Sequence, residues 1–247
     1  MKVGNTMKNT FDNLYIYFSE KYLTHQRTTE ECNLIIEMCN LKPGDSVLDV
    51  GCGNGRITNE LARRGFDVTG IDWSADALSQ AASKAAKENL SVNFKNANFL
   101  DFKELDKYNL ILSWYTSFGY TDDKSSRTLL RQLNASLKTG GIILIDHINR
   151  ERYLKNLPRY NIEERDSNYM IDMFSYEIST GFLNINRRFI KNGETVAAPY
   201  SIRLISYTEL KDWLCYAGFE DIYGFDGYGK PLTLDSNRMI VIGAKKQ

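Results

Sequence analysis

Residues 47–55 read Val-Leu-Asp-Val-Gly-Cys-Gly-Asn-Gly, and Asp72 follows 17 residues after Gly55 at the end of a second apolar run. A short strand carrying an acid leads into three alternating glycines, then a helix, then a strand tipped by another acid. That order is a parallel nucleotide-binding unit whose first turn brings backbone close to a ligand. Glycine permits the approach because it has no side chain and adopts positive φ freely. An acid on the second strand can accept hydrogen bonds from ribose hydroxyls. Asp49, two residues before the first glycine, is a second fixed carboxylate. It suits a cationic group, which a neutral dinucleotide-phosphate cradle does not require.

The surrounding pattern extends this unit. Thr28-Thr29-Glu30-Glu31 fits a capping box ahead of Leu34, Ile35 and Met38 at helical spacing. Pro43-Gly44 then turns the chain into a strand at 47–50. Further strands are expected at 68–72, 92–97, 110–113 and 142–146. Between them lie helices, one capped by Ser74, another opened by Asp122-Asp123 and ended by Gly140-Gly141. Alternation at this spacing predicts a parallel sheet with right-handed crossovers. After residue 165 the pattern changes to three strands at 169–178, 182–190 and 195–205, joined at Ser179-Thr180-Gly181 and Asn192-Gly193, so an antiparallel meander is expected. Ser206-x-x-Glu209 caps a last helix, and strands near 219–223 and 239–242 close the chain.

At 247 residues the chain has room for one large domain, or one with a moderate insertion. Lys plus Arg and Asp plus Glu balance at 31 each, so no overall field draws nucleic acid or an anionic membrane. Cys32, Cys39, Cys52 and Cys215 show no Cys-x-x-Cys pairing and no histidine at zinc spacing, so no metal site is expected. With no signal peptide in evidence, reduced thiols in a cytoplasmic protein are the expectation. Apolar runs are too short to span a membrane. The 15 tyrosines suit either a substrate-lined surface or ordinary antiparallel strands.

Asp49-x-Gly51-x-Gly53-x-Gly55 with Asp72 resembles the class I S-adenosylmethionine-dependent methyltransferases. S-adenosylmethionine carries ribose, ammonium and sulfonium together, as the two acids demand. Other segments are similar to a broad bacterial small-molecule branch: Arg27-Thr28, Gly55-Arg56, Thr116-Ser117-Phe118-Gly119-Tyr120, Asp146-x-x-Asn149-Arg150, Ala217-Gly218-Phe219 and Asp235-Ser236-x-Arg238. The resemblance implies an α/β fold: a Rossmann-like, seven-stranded, mostly parallel sheet with helices on both faces and a three-stranded antiparallel insertion. It implies one domain over 1–247, with a helical cap at 1–40, a cofactor-binding half at 41–150, a substrate cover at 165–206 and the end of the core sheet at 207–247. By the same resemblance Gly51, Gly53, Asn54 and Gly55 would line the methionine part of the cofactor. Asp49 would meet its sulfonium side or amino group, and Arg27 its carboxylate. Asp72 would take the ribose, Trp73, Asn98 and Phe99 the adenine, and Ser113 would offer its backbone near the sulfonium.

The function implied is methyl transfer to nitrogen or oxygen of a small-molecule acceptor, by a monomer or homodimer. A hydroxyl acceptor benefits from a general base, a neutral amine much less. His147 is a candidate base or substrate orienter, the alternative being an exposed loop histidine. Tyr22 and Tyr120, with Tyr115, are candidates for orienting an acceptor or closing the pocket. Strand four is not followed by the Asn/Asp-Pro-Pro-Tyr/Phe pattern of amino-methylating nucleic-acid and glutamine enzymes. Residues 113–120 are similar to sugar-amine N-methyltransferases. A peptide N-methyltransferase of a natural-product pathway and a non-catalytic S-adenosylmethionine-binding protein stay open as alternatives.

Overall fold

A computed structural model describes residues 13–246; the first twelve residues of the expected helical cap lie outside them. Two helices begin the described chain, α1 (Asn13–Ser19) and α2 (His25–Met38). The start of α2 differs from the sequence expectation. Thr24, not the box at 28–31, is the cap, since its extended backbone leaves its hydroxyl free to accept the Arg27 N–H at 3.2 Å. Thr28 is already inside the first turn.

The core follows as β1 (Ser46–Val50), α3 (Arg56–Arg63), β2 (Asp67–Asp72), α4 (Ala75–Lys87), β3 (Val92–Asn96), β4 (Tyr108–Ser113), α5 (Asp123–Ser136) and β5 (Leu137–Ile148). Next come α6 (Arg150–Lys155), then five strands, β6 (Tyr160–Arg165), β7 (Asn168–Glu177), β8 (Phe182–Lys191), β9 (Glu194–Ala197) and β10 (Tyr200–Arg203). Finally α7 (Tyr207–Tyr216), β11 (Phe219–Phe225) and β12 (Arg238–Lys245) close the chain.

Seven strands form the main sheet in the order β11-β12-β5-β4-β1-β2-β3, parallel except for β12. Every residue of β1 is buried, as a strand covered on both faces must be. Val47 faces Cys32, Ile35, Ile57 and Leu61 of α2 and α3, whereas Leu48 packs on the opposite face with Leu130, Leu133 and Trp213 of α5 and α7. Gly140-Gly141 does not separate helix from strand. α5 runs directly into β5 at Leu137, and the glycines accommodate a register shift against β4, where a Cβ on Gly141 would stand 2.8 Å from the Lys138 carbonyl oxygen.

The insertion is a second, antiparallel sheet of five strands over 160–203, where three were expected from 165 onward. β6, Tyr-Asn-Ile-Glu-Glu-Arg, is an edge strand and mostly exposed, so it lacks the alternation that marks a half-buried strand. The expected third strand is divided at Ala198-Pro199, with β9 and β10 each pairing β8 on either side of the break. Asn192 and Gly193 both have positive φ, the hairpin geometry that this dipeptide favours. Phe18 of α1 stacks on Phe189 of β8, 5.8 Å between ring centres, which fastens the N-terminal helix to this sheet.

Candidate active site

Strand order reverses at β1, which lies between β4 and β2, and the carboxyl ends open a crevice there. Gly51 has φ +78° and a Cβ on it would fall 2.6 Å from that of Ser117. The Ser117 hydroxyl donates to the Gly51 carbonyl at 3.0 Å, tying the glycine turn to the loop after β4. Gly53, at φ +54°, faces open space on the cavity, and its N–H donates to Asp72 at 2.8 Å. The Ser74 N–H donates to the other Asp72 oxygen at 2.9 Å. Two backbone donors therefore fix this carboxylate while it still lines the cavity. Gly55 serves packing instead. A Cβ there would meet the Ala81 Cβ at 2.7 Å, so its bareness seats the start of α3 on α4, and it does not line the cavity.

Asp49 is 3 % exposed and accepts a hydrogen bond from the Thr58 hydroxyl at 2.6 Å. Burial, partly offset by that hydroxyl and reinforced by Asp72, pushes its pKa up to about 6. Burial also raises Asp72. Asn54, Trp73, Asn98 and Phe99 line the same cavity, with the Asn98 side chain accepting the Leu100 N–H at 3.1 Å.

Ser113 does not reach the cavity wall; Trp114 to Ser117 do. Tyr115 and Thr116 both hold left-handed backbone, at φ +54° and +64°. Asp146 fixes that turn: its carboxylate accepts the Tyr115 N–H at 2.8 Å, and its carbonyl accepts the Thr116 N–H at 2.9 Å. Arg238 grips Asp146 through Nε and Nη2 at 2.8 and 2.7 Å, and also reaches the Thr116 hydroxyl. Arg27 is not on the wall. Glu31 holds it at 2.8 Å, and it lies over the outer part of the Tyr115 ring at 5.2 Å. Arg56 and Arg238, visible in the sequence only as parts of motifs, are the guanidiniums at this end of the cavity.

His147 is neither an exposed loop residue nor on the cavity wall. β5 runs two residues beyond its expected end, so Asp146 and His147 point to opposite faces. His147 is fully buried, its Nδ1 lies 3.0 Å from the Ile148 carbonyl oxygen, and its Nε2 packs beside Gly119. Burial, helped by Arg238 and Arg203, pulls its pKa down to about 4. Tyr22 and Tyr120 do line the cavity. Burial pushes both phenols far above their ordinary range, so they are neutral near pH 7. Tyr120 follows the turn after β4 and its ring lies 6.2 Å from that of Tyr200 on β10, which places it between the two regions.

The cavity measures about 1420 Å³ and extends from the glycine loop to β7, β8 and β10. A single small-molecule pocket is usually ~300–1,000 Å³, so the space suits two ligands side by side. Its electrostatics are lopsided. Arg56, Arg187 and Arg238 line it, but Glu31, Asp172 and Asp146 neutralise them from behind the wall, at 2.6, 2.6 and 2.7 Å. Asp49, Asp72, Asp122 and Glu177 line it with no ion-pair partner among the described residues, against a single such cation, Lys84. The interior consequently favours positive charge. Two fixed acids beside an open glycine turn fit a cationic nucleoside such as S-adenosylmethionine.

A family model described as a methyltransferase domain matches residues 47–141. The Ubiquinone biosynthesis O-methyltransferase of Actinobacillus pleuropneumoniae is 31 % identical over 113 residues, covering 43 % of this chain and 47 % of that protein. The chain spans about half the length of the curated relatives it matches. An S-adenosylmethionine-dependent methyltransferase from Clostridium acetobutylicum superposes with a TM-score of 0.82 at 18 % identity, over 95 % of this chain and 99 % of that one. Residues 47–141 thus match a methyltransferase domain, and the chain as a whole shares the fold of S-adenosylmethionine-dependent methyltransferases. A sugar N-methyltransferase from a Streptoalloteichus species shares the fold, with a TM-score of 0.69 at 15 % identity over 89 % of this chain and 88 % of that structure. Among the described residues, no helix is long and apolar enough to cross a membrane, and no cluster of three His, Cys, Asp or Glu side chains could hold a metal.

Proposed function

We propose that this chain transfers a methyl group from S-adenosylmethionine to a small-molecule acceptor, with an amine nitrogen as the attacking atom. When bound, that cofactor supplies an electrophilic methyl group on a sulfonium. Asp72 would hold its ribose, Asp49 its cationic end, Gly51 and Gly53 would admit its backbone-hugging portion, and Trp73 with Phe99 would cover the adenine. Arg56 and Arg238 are better placed than Arg27 to attract its carboxylate, because both line the cavity.

The observation that carries the choice of amine is the uncompensated negative wall. It attracts an ammonium and disfavours an anionic acceptor such as a carboxylate or phenolate. Asp122 and Glu177 are exposed at the mouth, where an ammonium can lose its proton before entering. Deeper in, the phenols of Tyr22 and Tyr120 are neutral and His147 is off the wall, so none of these three serves as a ready base for a hydroxyl acceptor. Catalysis then rests on holding the amine at attack distance and alignment in a closed space.

Oxygen methylation is the second reading, favoured by the similarity to the Actinobacillus O-methyltransferase. The two separate by experiment. The purified protein is saturated with S-adenosylmethionine and offered amines, catechols and carboxylic acids of similar size, with S-adenosylhomocysteine release and the methylated atom both read. Amine products carrying N-methyl groups are expected. Turnover of catechols with none of amines would overturn the nitrogen assignment, and absence of cofactor binding would overturn the whole reading.

A further inference from the structure

β8 presents Leu183, Ile185, Arg187 and Phe189 at successive positions of its buried face. Three of the four are the apolar residues that such a face calls for; the other is a cation. Arg187 is 5 % exposed and lines the cavity. Directly across the ladder stands Asp172 of β7, also 5 % exposed, which accepts Nε at 2.7 Å and Nη2 at 2.6 Å. That side-on fork uses one edge of the guanidinium and leaves Nη1 on the other. Nη1 is buried and has no hydrogen-bond partner among the described residues. The Tyr15 and Tyr200 rings, each with its centre 5.1 Å from the guanidinium carbon, flank the group. Opposite residues 186–187 the neighbouring strand breaks at Ala198-Pro199, where the Ala198 N–H keeps one last bond to the Arg187 carbonyl at 2.9 Å.

A buried, charged donor left unpaired carries a desolvation cost that folding alone does not require. Replacing the pair by apolar side chains would suit the rest of the face, so the pair itself calls for a use. Asp172 already matches the charge of Arg187, and the other unpaired charged groups on the wall are, apart from Lys84, acids. A second anion against Nη1 would therefore stand uncompensated.

We propose that Arg187 is the acceptor-anchoring residue, its Nη1 donating to an uncharged oxygen, a hydroxyl or carbonyl, on the acceptor. The site thus takes an oxygen-bearing amine, with the nitrogen toward the glycine loop and the oxygen toward β8. This rests on the methyl-transfer reading above. Tyr120, between the two regions, spaces the two ends.

Probes that differ only in the oxygen test it: the aminocyclohexanol isomers against cyclohexylamine. Binding is read by calorimetry on protein saturated with S-adenosylhomocysteine, and KM and kcat are read with S-adenosylmethionine. The wild-type protein should bind at least one aminocyclohexanol ten-fold or more tighter than cyclohexylamine, through KM rather than kcat. Arg187→Met leaves Asp172 buried and unpaired, which risks the fold, so the decisive variant is Asp172→Leu with Arg187→Met. It should fold, keep S-adenosylhomocysteine affinity within two-fold and bind both kinds of amine alike. Retention of the full preference by that variant, or equal wild-type binding of all the amines, overturns the anchor while leaving the methyl-transfer reading intact. If the wild-type protein takes neither kind of amine although the cofactor binds, the amine reading falls and the anchor with it.

Discussion

The two walls of the cavity are built on different principles. The wall from the parallel sheet is mostly main chain. Positive-φ glycines, a carboxylate held by two N–H groups and a turn tied by one hydroxyl define it, and its polar contacts lie close in sequence or on adjacent strands. The wall from the antiparallel insertion is made of side chains: a buried Arg–Asp fork, tyrosines from α1, β10 and the loop after β4, and apolar positions between them. A main-chain wall tolerates little change and suits a fixed ligand, as a cofactor is. A side-chain wall can be respecified one residue at a time, which suits the partner that differs among enzymes sharing a cofactor.

The sharpest way to break this contrast is Asp172→Leu alone. It strands Arg187 as an unpaired buried cation, and the loss in stability should be about 3–5 kcal/mol by urea unfolding. A loss under about 1 kcal/mol would mean that the fork is no more than a surface-type pair.

On the other wall, Asp72→Ala removes an acceptor shared by Gly53, Ser74 and the proposed ribose. S-adenosylhomocysteine affinity should fall on the order of 100-fold in a calorimetric titration, with acceptor selectivity unmoved. If acceptor selectivity shifts instead, the division between the walls is wrong.

Asp49 adds a pH signature. Its pKa stands at about 6, and a bound cation favours the ionised form. Affinity for S-adenosylmethionine should therefore be weak below pH 6, rise by up to about ten-fold through that region and level off near pH 7. Asp49→Asn should bind more weakly and flatten the profile, and an unchanged profile in the variant would remove Asp49 from the cationic end.

A further pH effect concerns His147, which belongs to neither wall. Its folded pKa of about 4 lies below the ordinary value, so between about pH 6.5 and pH 4 the unfolded chain takes up a proton that the folded one refuses. Its contribution is present above that window and is lost as pH falls, by at most about 1.4 kcal/mol per pH unit. Comparing urea midpoints of the wild type and His147→Asn across the window measures it; parallel curves would show that the imidazole titrates normally.

Legibility in the sequence followed the same division. The glycine turn, Asp49 and Asp72 were readable because main-chain sites need particular residues at fixed short spacing. Ser74, Asp122 and the Ser206–Glu209 box were readable as helix caps for the same reason, and the box is complete in the structure. Gly55 was read as a ligand contact because spacing cannot distinguish a glycine bared for a ligand from one bared for Ala81. His147 was misplaced by two residues of strand, enough to turn it to the other face. Arg187 and Asp172 escaped notice because only the hairpin register brings two residues 15 apart into opposition. Arg27 carried the expected charge, but its engagement by Glu31 is a matter of helix spacing against a neighbour, which the motif did not encode.

The left-handed turn at Tyr115–Thr116 has a consequence for how the protein comes to exist. Two successive non-glycine residues in that conformation carry roughly 1–3 kcal/mol of strain each and persist only while their surroundings impose it. Here the imposing group is Asp146, gripped by Arg238 at the start of the final strand. The glycine loop is synthesised early, whereas the arginine that clasps the floor beside it lies on β12, paired with β5. A nascent or truncated chain ending before Arg238 would carry the whole signature motif and lack the clasp that shapes its pocket, so competence arrives with the last strand and not with the motif.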